Sequence, residues 1–220
     1  MKKAIIFMLV IFTAFEISGF AQAKKTPVKQ KTEKQTKVLI HTDLGDIKIV
    51  LYNETPNHRD NFIKLVKEGW YNGSPWHRVI KGFMIQGGTN KDGRLDPGNT
   101  IPAEFVSKYY HKRGALAAAR TGDNVNPSKA SSGSQFYIVQ GNKFDETTLS
   151  SIETRLNTKF SPEQLNDYKT IGGAPHLDGA YTIFGEVISG LDVVDKIAAA
   201  QVDQASKPVK EIKMTMKIIE

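Results

Sequence analysis

The chain of 220 residues contains no cysteine. Thiolate catalysis, disulfide bonds and cysteine-ligated zinc are therefore excluded together. The histidines are widely scattered and the H-E-x-x-H pattern is absent, so we expect no metal site. The G-x-S-x-G motif of serine hydrolases is absent as well, because Gly133-Ser134-Gln135 is its nearest approach. These absences remove the commonest covalent and metal-dependent chemistries from consideration.

The first 23 residues have the features of a secretory signal peptide. A cationic start, Met1-Lys2-Lys3, precedes a mostly apolar run over residues 4–15, and Ala21-Gln22-Ala23 matches an A-x-A cleavage signal. An uncleaved membrane anchor is the alternative, but twelve helical residues rise only about 18 Å against a hydrocarbon core of about 30 Å. We predict cleavage after Ala23, export with the periplasm favoured, and no stable membrane insertion after cleavage.

Net charge is scarce in the part of the chain that can fold. Residues 24–37 consist largely of Lys, Thr and Gln, a composition that cannot offset the entropy of ordering, so we predict a disordered basic linker there. This linker carries +5 of the formal net charge of +7 and residues 1–23 carry +1, which leaves +1 for residues 38–220. A nucleic-acid-binding domain needs basic residues clustered on the fold itself. We therefore expect one domain over residues 38–220 and no nucleic acid among its partners.

Short strands and two helices are predicted along this domain. Residues 38–42 and 47–51 flank a turn that contains Gly45, which is typical of a β-hairpin. Thr55-Pro56 is interpreted as the N-cap and first position of a helix that ends near Glu68. Periodicity predicts another helix over residues 191–200. Further strands are predicted over residues 135–139, 181–188 and 212–218. Residues 114–120 could form a helix by propensity, or a strand of small residues between turn-rich loops.

Residues 76–88 contain an arginine, a phenylalanine, a methionine and a glutamine in one extended segment that bends at a glycine. Taken as a pair of strands, alternation places Met84 with Gln86 on one face and Phe83 with Ile85 on the other. The segment then forms an apolar pocket with a polar edge. The alternative is a buried strand with a single solvated arginine.

Two further segments favour the pocket. Residues 77–88 (HRVIKGFMIQGG), 133–139 (GSQFYIV) and 176–187 (HLDGAYTIFGEV) resemble, in this order, the cyclophilin family of peptidyl-prolyl cis/trans isomerases, and the resemblance covers roughly residues 38–220. It implies a mainly β fold, a closed eight-stranded antiparallel barrel capped by two helices. It also implies rotation about X-Pro peptide bonds without a cofactor and without a covalent intermediate.

The resemblance assigns roles to individual residues. Arg78 would be the donor that favours the twisted amide, Gln86 would fix the substrate carbonyl or orient the arginine, and Phe83 would complete this catalytic group from the proline pocket. The implied substrate-binding residues are His77, Met84, Ala119, Arg120, Gln135, Tyr137, His176, Leu177 and Tyr181. Three of these depart from the commonest family pattern: Tyr137 replaces phenylalanine, His176 replaces tryptophan, and Tyr181 replaces histidine.

Residues 140–175 form a predicted helical insertion where compact family members have a short loop. Leu149, Ile152 and Leu156 follow helical spacing, and Ser161-Pro162 marks the start of a second helix. We expect these helices to lie over the barrel near the groove, because the segment joins the Gln135 strand to the Leu177 loop.

The predicted function is isomerisation of X-Pro bonds in exported proteins, which would assist their folding. The predicted partners are proline-containing segments of unfolded or folding proteins, bound by a monomer. The alternative is a non-catalytic peptide-binding chaperone or scaffold on the same fold. Loss of Arg78 would favour that alternative, and Arg78 is present.

Overall fold

A computed structural model of the chain describes residues 34–94 and 99–220. The predicted signal peptide over residues 1–23 and most of the predicted linker over residues 24–37 lie outside the described residues. The linker prediction extends too far at its end, because Lys37 already belongs to the first strand. Thr36 accepts a hydrogen bond from the Leu51 backbone, and Lys37 Nζ lies 2.7 Å from the carboxylate of Glu220. Thr36 and Lys37 are therefore held by contacts across the sheet.

The described part of the chain contains eleven strands, four α-helices and one 3-10 turn. The strands are β1 (Lys37–Thr42), β2 (Gly45–Leu51), β3 (Ser74–Pro75), β4 (Arg78–Ile80), β5 (Met84–Gly87), β6 (Thr100–Ile101), β7 (Ala115–Ala118), β8 (Ser131–Ser132), β9 (Phe136–Val139), β10 (Ile183–Ser189) and β11 (Lys213–Ile218). The helices are α1 (Pro56–Lys67), α2 (Glu146–Leu156), α3 (Pro162–Thr170) and α4 (Leu191–Ala198). The 3-10 turn spans Pro175–Leu177. No helix within these ranges is long and apolar enough to cross a membrane.

Nine strands form one curled antiparallel sheet in the order β3-β11-β1-β2-β10-β7-β9-β5-β4, and β6 pairs separately with β8. The mainly β prediction is confirmed, but the prediction of a closed eight-stranded barrel is wrong. The sheet is a half-barrel whose edges, β3 and β4, have no ladder between them in the described residues.

The two edge strands are consecutive in the chain, and this explains the open edge. Only Trp76 and His77 separate β3 from β4. The Trp76 backbone still donates to Ile212 beside β11, whereas the His77 backbone donates to Gln86 on β5. The backbone changes hydrogen-bonding partner between these two residues. The chain therefore forms two short strands, β3 and β4, at opposite edges of the sheet, where a single continuous strand would have closed the barrel.

The two faces of the sheet serve different purposes. Ile85, Leu116 and Ile138 point into the main hydrophobic core inside the curl, where they are fully buried. Their chain neighbours Met84 and Tyr137 point to the opposite face and join a second apolar cluster. This alternation follows from the two-residue period of a strand. A surface for ligands is thereby created on the outer face of a well-packed sheet.

Helices α1 and α4 pack against the main core, whereas α2 and α3 form a small cluster of their own around Leu149, Ile152 and Tyr168. The predicted insertion helices are therefore present. Their segment is closed at its base by a bridge between Asn142 and Gly173. A Cβ on Gly173 would lie 2.4 Å from the His111 carbonyl oxygen, so only glycine fits this close approach.

The start of α1 is stabilised differently from the prediction. Thr55 makes no side-chain capping bond. The Glu104 carboxylate, from the segment after β6, accepts instead from the backbone N–H groups of Asn57 and His58, at 3.1 and 3.0 Å. It also contacts His58 Nδ1 at 2.6 Å. Burial opposes the charge, yet the hydrogen bonds from His58 and the backbone lower the pKa of Glu104.

We predict that Glu104→Gln lowers the free energy of unfolding by about 1.5–3 kcal/mol near neutral pH, because hydrogen bonds to a charged acceptor are lost. The folded-state pKa of Glu104 is lowered, so its contribution is full above the unfolded-state pKa and disappears as pH falls through the folded-state pKa. Denaturant unfolding from pH 7 to pH 3 measures this. Glu68→Gln, an exposed carboxylate at the other end of α1, serves as the control. An equal loss at pH 7 and pH 3 would contradict the prediction.

Candidate active site

A row of side chains runs across four neighbouring strands on the outer face of the sheet. Arg78 on β4 is opposite Gln86 on β5, Gln86 is opposite Tyr137 on β9, and Tyr137 is opposite Ala117 on β7. Residues in direct cross-strand register share a face, with Cβ atoms about 4.5–5.5 Å apart. Strand pairing alone therefore aligns the cation, the amide and the aromatic ring.

These residues border a cavity of about 320 Å³. Nine side chains line it: Arg78, Phe83, Met84, Gln86, Ala119, Arg120, Tyr137, Leu177 and Tyr181. All nine belong to the predicted set. Polar and apolar atoms contribute about equally to its surface: Phe83, Met84 and Leu177 supply apolar walls, and Arg78 and Gln86 supply polar groups. The small side chains of Ala115 and Ala117 on β7 face this side of the sheet and leave space above it, while Leu116 packs in the core.

The arginine at the rim is held by a chain of side-chain amides. Arg78 Nη1 donates to Gln86 Oε1 at 3.1 Å, and Gln86 Nε2 donates to Gln135 Oε1 at 3.2 Å. Gln135 does not line the cavity itself, and it orients Gln86 from outside. The Arg78 side chain is exposed, so its remaining N–H groups face a ligand or solvent.

Arg120 and Tyr181 form the opposite rim. The Arg120 guanidinium lies 4.5 Å above the Tyr181 ring, donates to the Ala180 carbonyl oxygen at 2.7 Å and pairs with Asp123 at 2.6 Å. The Arg120 side chain is only 4% exposed, so this second cation stabilises the fold and is not available to a ligand. The backbone of Ala119 is engaged too, since its N–H donates to Gln135 and its carbonyl oxygen accepts from Ser132.

Besides Gln135, two predicted residues stand outside the cavity. His176 packs against Phe83, with ring centroids 5.3 Å apart, and His77 is a half-buried residue next to Arg78 in the chain. Burial, together with the neighbouring charge of Arg78, lowers the pKa of His77. The imidazole is therefore neutral near pH 7. The prediction that Phe83 shares a face with Ile85 is wrong, because Phe83 lies in the β4–β5 turn next to Gly82, whose φ is +77°. The turn directs the Phe83 ring over the cavity.

Sequence reasoning missed the group that holds Tyr137 in place. The Tyr137 hydroxyl lies 3.0 Å from His111 Nε2, and His111 Nδ1 lies 2.8 Å from Asp178 Oδ1. The other Asp178 oxygen accepts from the Tyr168 hydroxyl of α3 at 2.5 Å. Burial raises the pKa of Tyr137 well above its ordinary value, so the phenol remains a donor. The only available signal was that a buried tyrosine hydroxyl requires a partner.

The arrangement suits binding better than covalent chemistry. Tyr137 and Tyr181 carry the only hydroxyl groups among the nine cavity-lining side chains, and that of Tyr137 is bonded to His111. Tyr137 is buried, and burial raises its pKa well above the ordinary value, so its phenol stays protonated and is a poor nucleophile. The described ranges contain no group of three or more His, Asp or Glu residues that could hold a metal ion. An apolar pocket of this size with a cationic donor at its edge suits a small neutral ring next to a polar backbone group.

Comparison with known proteins identifies the class. The family model described as cyclophilin type peptidyl-prolyl cis-trans isomerase/CLD matches residues 37–218. A provisionally named peptidyl-prolyl cis-trans isomerase of Staphylococcus saprophyticus is 36% identical over 184 residues, which cover 81% of this chain and 88% of the relative. A counterpart from Staphylococcus aureus strain COL is 35% identical over 190 residues, covering 84% and 91%.

The fold comparison agrees. The crystal structure of a cyclophilin type peptidyl-prolyl cis-trans isomerase from Cryptosporidium parvum matches with a TM-score of 0.65 and 26% identity, covering 85% of this chain and 99% of that one. A second structure of that protein, in the presence of the dipeptide Ala-Pro, matches with a TM-score of 0.63 and 26% identity, covering 84% and 99%. The chain therefore belongs to the cyclophilin family, and it is a peptidyl-prolyl cis-trans isomerase.

We predict that Tyr137→Phe lowers the free energy of unfolding by about 1–3 kcal/mol, because His111 Nε2 is left buried without its partner. Denaturant unfolding measures the loss. Tyr109→Phe removes an exposed hydroxyl contact to Glu54 and serves as the matched control, with a change below about 1 kcal/mol. An equal loss of stability in both variants would contradict the prediction that the buried contact between Tyr137 and His111 stabilises the fold more than an exposed contact does.

Proposed function

We propose that this isomerase accelerates rotation about X-Pro bonds in exported proteins and so assists their folding outside the cytoplasm. Rotation about a peptide bond has a barrier of about 18–20 kcal/mol, and uncatalysed X-Pro isomerisation takes tens of seconds or longer. Such a step can limit the rate of folding. The signal-peptide features of residues 1–23 support a location outside the cytoplasm.

The observation that carries the mechanism is the contact between Arg78 and Gln86 at the rim of the apolar cavity. The proline ring occupies the cavity between Phe83, Met84 and Leu177. The X-Pro amide then lies at the rim, where Arg78 donates to the amide in its twisted, deconjugated form. A guanidinium suits this role because it is always charged and presents several donors in a rigid plane.

This mechanism needs no bond between enzyme and substrate. Only interactions that are stronger with the twisted amide than with the planar one increase the rate. Each tenfold acceleration corresponds to about 1.4 kcal/mol, so a hundred-thousandfold effect requires about 7 kcal/mol. Ring binding, exclusion of water and one charged donor are of the right magnitude together. A structure of the Cryptosporidium relative was obtained in the presence of the dipeptide Ala-Pro, which is consistent with a proline-containing substrate.

A non-catalytic chaperone or scaffold on the same fold is not favoured. Peptide binding alone would need only the apolar pocket. Here the guanidinium is exposed toward the ligand side and held by Gln86, which is itself held by Gln135. A pre-positioned donor of this kind serves the reaction rather than affinity.

We predict that Arg78→Ala lowers kcat/KM for a short X-Pro peptide at least about a hundredfold, because the single charged donor to the twisted amide is lost. Protease-free exchange spectroscopy measures the rate. Arg78→Lys keeps the charge without the planar fork and should lie between the wild type and the alanine variant. The exposed Arg94→Ala is the control. Retention by Arg78→Ala of activity within about twofold of wild type would overturn the mechanism.

We also predict that the exported chain begins at Lys24. Intact-mass analysis of protein from the culture fluid or the periplasm tests this directly. Because strand pairing starts near Lys37, proteolytic removal of residues 24–33 should leave Tm unchanged. A mature mass that still includes residues 1–23, or a Tm lowered by several degrees, would contradict the respective part of this prediction.

A further inference from the structure

A second and larger cavity lies beside the proline pocket, with a volume of about 780 Å³. We call it the insertion groove, and its principal lining residues are Phe105, Lys129, Leu156, Phe160, Gln164 and Tyr181. Leu156, Phe160 and Gln164 belong to the helical insertion, whereas the others belong to the body of the domain. Binding sites typically enclose about 300–1,000 Å³. The groove is therefore large enough for several residues of a peptide.

The insertion groove adjoins the proline pocket. Tyr181 lines both cavities and forms the ridge between them. Its ring is fixed from one side by the Arg120 guanidinium, 4.5 Å away, and Arg120 is itself anchored to Ala180 and Asp123. An extended chain advances about 3.3–3.6 Å per residue. A polypeptide whose proline occupies the pocket can thus pass over Tyr181 and place neighbouring residues in the groove.

The groove contains an exposed aromatic ring beneath a cation. Phe105 is 46% exposed, and Lys129 Nζ lies 6.0 Å from the centre of its ring. Lys129 has a φ of +55°, a left-handed conformation that is costly for a residue with a side chain. The Asn126 carbonyl oxygen accepts from the Lys129 backbone, and Asn126 Oδ1 accepts from the Ala130 backbone, which together hold this turn. Local strain of this kind often marks sites that contact ligands.

The other charges around the groove are already engaged. Asp123 pairs with Arg120 at 2.6 Å, and Asp178 accepts from His111 and Tyr168. The Lys159 ammonium lies 3.0 Å from the Glu153 carboxylate. Lys129 is placed over an aromatic ring rather than beside one of these carboxylates. Among the described residues Lys129 has no carboxylate partner, so its ammonium group is available to an acidic ligand side chain near Phe105.

We propose that the insertion groove binds the part of the substrate polypeptide that adjoins the X-Pro pair, and that Lys129 above Phe105 selects an acidic side chain in that part. The proposal rests on the proposed function of the neighbouring pocket. It gives the insertion a role in the choice of substrate.

The first test compares a short blocked X-Pro peptide with the same peptide extended by four residues at either end, in protease-free exchange experiments at low salt. Extension at one end with a glutamate-containing segment should raise kcat/KM at least threefold over the short peptide. Phe105→Ala should abolish this gain, whereas Val209→Ala, an exposed apolar residue outside both cavities, should retain it. The measured quantity is the ratio of kcat/KM for the long and short peptides, which cancels any change in the proline pocket.

The second test isolates the charge. Lys129→Asn removes the ammonium group, and asparagine tolerates the left-handed backbone. The wild type should prefer a Glu-containing to a Gln-containing extension by about two- to fivefold, and this variant should show no preference. Lys129→Arg should restore that preference, and Lys67→Asn on α1 should leave it unchanged.

The two hypotheses fail in different ways. If the wild type does not isomerise the short peptide, the proposed function is wrong. If it isomerises the short peptide but gains nothing from extension at either end, or if Phe105→Ala retains the gain, the groove proposal is wrong. A gain that persists with an equal preference for Gln overturns the role of Lys129.

Discussion

Cross-strand register is the constraint on which the rest of this structure depends. Arg78, Gln86 and Tyr137 are opposite one another on three adjacent strands, so their side chains emerge together on the outer face. A slip of one residue in β5 would turn Met84 and Gln86 into the core and Ile85 into the pocket. The burial of Ile85, Leu116 and Ile138 inside the curl resists that slip. The packed core thereby maintains the geometry of the catalytic face.

A buried polar network adds a second constraint. His111 is fully buried and joins Tyr137, in the wall of the pocket, to Asp178, which also accepts from Tyr168 of the insertion. Buried polar groups are stabilising only when every member has its partners. The insertion is thus tied to the proline pocket by directional bonds, although it packs around a separate apolar cluster. This connection explains how a tyrosine can stand where an apolar ring is the usual choice.

The distribution of charge separates structure from reaction. Arg120 is almost wholly buried and donates to Ala180, Thr121 and Asp123, whereas Arg78 is exposed and donates to the neutral amide of Gln86. A neutral partner orients a guanidinium without neutralising it. The two arginines of the pocket therefore have distinct physical functions, which their side-chain chemistry alone could not reveal.

The sequence by itself determined the longer elements, because periodicity and turn chemistry are local. The β1–β2 hairpin, α1 and the insertion helices follow from such patterns, whereas the strand assignment of β7 followed from the resemblance, as did the candidate residues around the pocket. The open edge of the sheet was not predictable, since it depends on which strands Trp76 and His77 face. Nor was the cap of α1 by Glu104, which lies 46 residues beyond His58. Hydrogen bonds between residues far apart in the chain, such as Tyr137 with His111 and His111 with Asp178, exist only once the fold has brought them together. For that reason, only the tertiary structure decided how the pocket is supported and what lies beside it.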